Sequence, residues 1–322
     1  MKKKILITGC AGFIGFHLCK ELANKYDIIG VDKISKYYST KLKYDRLNIL
    51  KKIKNFKFIK LDLSKQSSIK IISKYNFHLI FHLAAQAGVR NSIYKPLDYI
   101  NDNIISQINL FQIIKKKKLK KFIYASSSSV YGTTLKKSFS ENDRLKQPLS
   151  LYSASKQSIE QISKYYSNYY KIPCIGIRFF TCYGPWGRPD LSVTKISNDI
   201  IYKKQITLLN YGKTKRDFTY IDDTVDGIIK CINYKFTKDN FHQIFNLGTG
   251  KTVSVLKMSK ILGNLLNIKF NTKLIEHHPT DMKVTKANIN KSRKLLNYKP
   301  KVQLHDGLKS FLNWYKRYFK FK

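Results

Sequence analysis

The chain has 322 residues, 43% hydrophobic and 13% aromatic, which suffices for a sizeable core and excludes a disordered chain. No apolar run approaches the ~20 residues of a membrane-spanning helix, and five cysteines without a CxxC pair suit neither a metal site nor a disulfide framework. The net charge of +41 invites a nucleic-acid reading, but only eight of the 61 basic residues are Arg and the lysines are scattered. Specific nucleic-acid binding is therefore not expected, though the positive field should draw in acidic substrates.

In chain order, Ile5–Thr8 reads as a buried first strand. Ile7-Thr8-Gly9-Cys10 after Lys2–Lys4 imitates a lipoprotein cleavage site, but Ile5–Ile7 is too short an apolar core for a signal. A cytoplasmic, membrane-free protein is expected. The following turn, Thr8-Gly9-Cys10-Ala11-Gly12-Phe13-Ile14-Gly15, ends a strand and opens a helix over Ile14–Asn24. Gly9 allows the tight turn, Gly12 the approach of a pyrophosphate and Gly15 close helix–strand packing. Phe13 and Ile14 open the helix whose free N–H groups would face the phosphates. Asp32 closes the second strand, Ile28–Asp32, where a carboxylate binds ribose hydroxyls and repels a 2′-phosphate. NAD is expected over NADP, with Lys33 a mild counter-signal.

Phe56–Leu61 is the third strand, and Asp62 with Leu63 follows it, within reach of adenine. Leu79–Leu83 is the fourth, and Leu83-Ala84-Ala85-Gln86 leaves room for a cofactor backbone. A helix over Ile100–Ile114 runs into Lys115–Lys118, and Phe122–Ser126 ends in the run Ser126–Ser129. Tyr152 and Lys156 then stand at i and i+4 on one helix face. Lowering a phenol from its usual pKa of about 10 to about 7 takes roughly 4 kcal/mol, which the Lys156 ammonium and an oxidised nicotinamide can supply. A serine at the strand end, Ser127, completes a proton path. Cys174–Arg178 is a sixth strand, after which the chain becomes irregular, with Ile206–Leu209 and Phe245–Leu247 as strands and a terminal helix over Leu304–Tyr318.

Strands alternating with helices indicate the α/β class, a Rossmann-type doubly wound parallel sheet with a smaller, irregular α/β substrate-binding region. Residues 1–180 are expected to bind NAD and 181–322 mainly substrate, with late segments able to return to the sheet.

Four stretches carry a family resemblance: HLAAQAGVRNS (82–92), YASSSSVYG (124–132), RFFTCYGPWGRPD (178–190) and YGKTKRDFTYIDD (211–223). With the glycine turn and the Tyr/Lys pair, they make the chain resemble, nearly end to end, extended short-chain dehydrogenase/reductases of the sugar-nucleotide epimerase/dehydratase family. The resemblance implies Ser127, Tyr152 and Lys156 as the catalytic set and adds Asn103 and Phe180 to the NAD contacts. It also implies that Ser129, Thr181 and Arg188 face the sugar, Arg216 the diphosphate and Asp281 the uridine ribose. It implies a homodimer through helices bearing Ile100, Ile104, Ile108 and Phe111, and Ile159, Ile162 and Tyr166. Two positions depart from it: relatives carry Arg near His278, and Asp where Asn288 stands.

The implied reaction is 4-epimerisation of a UDP-sugar through a 4-keto intermediate, with UDP-glucuronate expected because Arg188 suits a carboxylate. UDP-glucose or UDP-N-acetylglucosamine is the alternative substrate, and a non-catalytic NAD-binding regulator the alternative class. A 4,6-dehydratase is disfavoured, because Ser128-Ser129 replaces its Asp-Glu acid/base pair.

Overall fold

A computed structural model describes residues 2–115 and 118–321. Lys116 and Lys117, within the basic run after Ile114, lie outside the described residues. The first six strands are β1 (Lys4–Thr8), β2 (Asp27–Asp32), β3 (Phe56–Lys60), β4 (Leu79–His82), β5 (Lys121–Ser127) and β6 (Cys174–Phe179). A seventh, His242–Leu247, pairs with β6. All are parallel, in the spatial order β3-β2-β1-β4-β5-β6 and then the seventh strand.

Parallel strands are covered on both faces and so read as nearly continuous apolar runs. The sequence LIFH of β4 and all six residues of β6 are buried accordingly. Alternate residues serve two separate cores. Ile5 and Ile7 face the layer formed by the Phe13–Leu22 and Thr40–Lys51 helices and the C-terminal region. Leu6 faces the layer containing Ile72, Leu110, Phe111 and Ile159. Two residues of the expected dimer stripes, Phe111 and Ile159, are thus core residues, exposed by 0% and 1%.

The strand order reverses direction between β1 and β4, which opens a crevice at the carboxyl edge of the sheet. Beyond residue 180, three two-stranded ladders wall that crevice: Thr181–Tyr183 with Phe218–Tyr220, Lys215–Arg216 with Val253–Ser254, and Ile206–Leu208 with Thr272–Leu274. The first ladder sets Thr181 beside Phe218, and Thr181 N donates to the Asp217 carbonyl at 3.0 Å.

Candidate active site

The crevice is one cavity of about 810 Å³, and its wall includes both the glycine turn and the Tyr152–Lys156 face. Gly9 has φ +70°, and a Cβ there would lie 2.7 Å from Ala84 N. At Gly15 a Cβ would lie 2.1 Å from the Gly9 carbonyl oxygen, so helix and turn touch backbone to backbone. Phe13 and Ile14 also line the cavity, so the first turn of the Phe13–Leu22 helix opens onto it. This is a cradle that fits a pyrophosphate.

Asp32 accepts Ala11 N at 3.2 Å and Ile34 N at 2.7 Å, which fixes its carboxylate at the end of β2. Burial raises its pKa, while those bonds and the charges of Lys43 and Arg46 oppose the shift. Lys33 is committed elsewhere, to Asp102 at 2.6 Å. Asp62 accepts the Ser64 amide and hydroxyl. Burial works against its charge, but Ser64 and the nearby lysines hold its pKa below the usual value. Leu63, Leu83, Ala84, Ala85, Gln86 and Phe180 complete the expected cofactor wall.

Asn103 stands behind this wall. It is 1% exposed, lies outside the cavity wall and spends its side chain on Gln86 N (2.8 Å) and Ser155 Oγ (2.9 Å). It braces the Gln86 loop from behind. It lies in a π-helical stretch, Ile100–Ile105, which joins two α-helical segments.

Tyr152 and Lys156 both line the cavity. Ser150 caps the Leu151–Tyr170 helix through a reciprocal bond pair with Ser153, so Tyr152 sits in the first turn, at the positive end of the helix dipole. Burial raises the phenol's pKa; a hydrogen bond with Ser127 and the Arg188 charge act against it. Lys156 lies 6.0 Å from the centre of the Tyr152 ring and donates to the Ala125 carbonyl at 2.8 Å. Burial brings its pKa down to about 7, with Glu160 one turn later opposing the shift. The phenol and amine therefore shift toward their neutral forms. A cation beside Tyr152 is what would release the phenolate.

Ser127 ends β5 and its hydroxyl accepts Ser129 N at 3.2 Å, closing the turn that follows. The Ser129 hydroxyl, which lines the cavity, is buried and has no partner among the described residues. An orphaned hydroxyl on a cavity wall suits a bound ligand.

Thr181, Arg188, Arg216 and Asp281 line the far side. Arg188 sits in a loop pinned to the nucleotide half: His17 Nε2 meets the Pro185 carbonyl at 2.9 Å and Arg46 donates to the Trp186 carbonyl at 2.5 Å. Arg188 pairs through two parallel bonds with Asp190, and Tyr37 donates to the same carboxylate. Sequence reasoning assigned nothing to Tyr37, Asp190 or Arg90. Arg90 bridges to Asp281 at 2.8 Å. Burial lowers the Arg216 pKa, Asp281 opposes that shift and Arg90 adds to it. Two guanidiniums around one carboxylate leave a net positive corner, which suits a diphosphate. Behind it, fully buried Asp217 accepts four donors from Thr249, Gly250 and Ala287 and fixes the backbone next to Arg216. Of the two departures, His278 orders the turn ahead of Asp281 through its bond with Thr280, and Asn288 accepts Asn290 N.

A sequence model of the NAD dependent epimerase/dehydratase family matches residues 5–248. The chain belongs to this family. It is therefore an NAD-dependent enzyme of the Rossmann type. An uncharacterized protein of Methanocaldococcus jannaschii is 44% identical over 97% of this chain and 96% of its own length. The UDP-glucuronate 4-epimerase of Thermodesulfobacterium geofontis is 38% identical over 97% of this chain and 95% of its own. The crystal structure of the Bacillus cereus UDP-glucuronic acid 4-epimerase, in complex with UDP-glucuronic acid and NAD, superposes with a TM-score of 0.90. It shares 33% identity over 98% of this chain and 99% of that one.

Proposed function

We propose that this protein is a UDP-glucuronate 4-epimerase, converting UDP-glucuronate to UDP-galacturonate through a transient 4-keto sugar. The observation that carries the reading is Arg188. A guanidinium stands in the same cavity as Tyr152, close enough to act on its phenol, and already holds a carboxylate in the two-bond geometry. Relatives named for this activity support the reading.

Bound NAD supplies reversible hydride acceptance at carbon 4. The chain's own residues supply the rest. Tyr152 takes the proton of the sugar's 4-hydroxyl and later returns it, with Ser127 bridging to the reacting oxygen. Lys156, held by the Ala125 carbonyl, supplies positive charge under the phenolate. Arg216, Arg90 and Asp281 hold the nucleotide diphosphate end, so the sugar can turn about its diphosphate link and present its other face. Ser129, Thr181 and Arg188 hold the sugar end. Residues 1–180 serve NAD and 181–322 mainly the substrate. The product would feed synthesis of an acidic polysaccharide.

A cytoplasmic homodimer completes the reading. All five cysteines are free, buried thiols, as in a reducing compartment. Tyr165 and Tyr169, 60% and 68% exposed, stack at 5.7 Å on the outer face of the Leu151–Tyr170 helix. Sedimentation at micromolar concentration should give a dimer; monomer alone at physiological salt would refute that part.

The deciding experiment incubates the enzyme and NAD with UDP-glucuronate, UDP-glucose and UDP-N-acetylglucosamine and identifies products by NMR. UDP-glucuronate should turn over with the highest kcat/KM, and Arg188→Ala should cut that value about 30-fold or more while sparing UDP-glucose. Preferred turnover of UDP-glucose would give the hexose reading. No turnover of any sugar would point to a binding protein.

A further inference from the structure

The Arg188 guanidinium is already engaged. Its Nε donates to Asp190 Oδ1 at 2.9 Å and its NH2 to Oδ2 at 2.8 Å, so both forks on one edge are filled by a carboxylate two residues along the chain. The Tyr37 hydroxyl donates to Oδ2 at 3.1 Å. Tyr37 itself is wedged across the crevice: a Cβ on Gly88, which has φ +96°, would lie 2.1 Å from the Tyr37 hydroxyl. Tyr37, Gly88, Arg188 and Asp190 all line the cavity. The two charged side chains remain 24% and 30% exposed, so a ligand entering the cavity can reach the pair.

The loop backbone has little freedom to rearrange. Arg46 and His17 hold the Trp186 and Pro185 carbonyls, and the Phe16 and Trp186 rings pack at 5.5 Å. A sugar acid that needs Arg188 must therefore win the guanidinium by exchanging side-chain contacts, with the main chain in place.

We propose that Asp190 is an internal stand-in for the substrate's carboxylate and thereby a specificity-determining residue, displaced when an acid-bearing nucleotide sugar takes Arg188. This rests on the uronate reading above. The exchange is carboxylate for carboxylate, so Arg188 is neutralised in the empty and in the filled site. A neutral hydroxymethyl group has nothing to offer in exchange and leaves the Arg188–Asp190 pair intact. Because the acid gains only the difference between two similar pairings, the sugar is not clamped at that end and can still turn during epimerisation. The rival geometry keeps Asp190 in place as a brace and lets the substrate use the free NH1 edge of Arg188. The two schemes part over Tyr37→Phe, which keeps the Asp190 charge but loosens its hold: a stand-in then leaves more readily, whereas a brace holds Arg188 less well.

The test measures calorimetric Kd values for UDP-glucuronate and UDP-glucose on the NAD-loaded enzyme, for wild type, Asp190→Asn and Tyr37→Phe. With a stand-in, Asp190→Asn binds UDP-glucuronate about 3- to 30-fold more tightly, the scale of a partly exposed bidentate pair, and leaves UDP-glucose within about 2-fold. Tyr37→Phe, which frees Asp190 of one hydrogen bond, tightens UDP-glucuronate in the same direction by a smaller factor. It also provides the answer if Asp190→Asn fails to fold. Weaker or unchanged UDP-glucuronate binding in these variants overturns the exchange and makes Asp190 a brace. Wild type decides the underlying reading separately. If it turns over UDP-glucose with the higher kcat/KM, the uronate assignment falls; if it prefers the acid in turnover while neither variant tightens, only the stand-in falls.

Discussion

Glu160 lies one turn after Lys156 and shares a buried ion pair with Arg178, each side chain 4% exposed. Its Oε1 accepts Arg178 Nε at 2.9 Å and the Ser126 hydroxyl at 2.5 Å, and its Oε2 accepts Arg178 NH2 at 2.7 Å. Glu160→Ala removes three bonds at once and strands a guanidinium that also lies over the Tyr131 ring at 4.7 Å. Breaking one side of a buried pair costs about 3–5 kcal/mol, mostly as the penalty of the uncompensated charge. In a chain of this size that corresponds to a fall in Tm of roughly 4–7 °C. The catalytic consequence has a separate readout. Glu160 is the charge that opposes the downward shift of Lys156, so its loss drops the Lys156 pKa further and removes ammonium from beneath Tyr152 at neutral pH. Turnover at pH 7 should fall with stability. Urea unfolding followed by circular dichroism, at fixed NAD concentration, measures the first effect. A loss under about 1 kcal/mol refutes the reasoning. The double variant Glu160→Leu with Arg178→Met should recover most of the stability, because removing both charges leaves only the Ser126 hydroxyl without its acceptor.

Tyr152→Phe should fold and bind NAD, yet lose about 10²-fold or more in kcat; near-normal epimerisation would end its assignment as the base. Gly15→Ala should lower NAD affinity at least about tenfold in a fluorescence titration, because its Cβ would overlap the Gly9 carbonyl oxygen. Unchanged affinity would mean that the turn can yield. His82 is 2% exposed and bonded to Thr8 Oγ1, and burial with the Lys156 charge lowers its pKa to about 3. A pKa depressed on folding gives stability that is present above about pH 6.5 and lost as the pH falls toward 3, up to roughly 5 kcal/mol. His82→Gln should flatten the stability-versus-pH curve between pH 6.5 and 4, and curves parallel to wild type would contradict this.

Legibility followed sequence distance. The glycine turn, Asp32 and the Tyr/Lys pair are short-range patterns whose spacing alone fixes a turn, a strand end and a helix face. Tyr37–Asp190 and Arg90–Asp281 join residues 153 and 191 positions apart, and nothing local marks such a pairing. The Thr40–Lys51 helix escaped the periodicity reading because its inner face mixes Leu42, Leu47 and Leu50 with buried Lys43 and Arg46. Those polar members bond to Ser35 and to the Ala11 and Trp186 carbonyls, partners that only the fold supplies. Asn103 was legible as a site-region residue but not as a brace, since a π-helical stretch has no distinctive composition.

The seventh strand has a consequence for how the chain can be cut. The main chain leaves the sheet after Phe179 and re-enters it at His242, beside β6, with six residues in register. A fragment ending near residue 180 would keep the cofactor cradle but lose the ladder covering β6, exposing a fully buried apolar edge to pairing with other chains. Such a fragment should aggregate, and the intact protein should melt in one transition. The cavity walls in the 181–241 stretch are then an excursion threaded through the sheet, open to replacement as a loop graft but not to removal as a module.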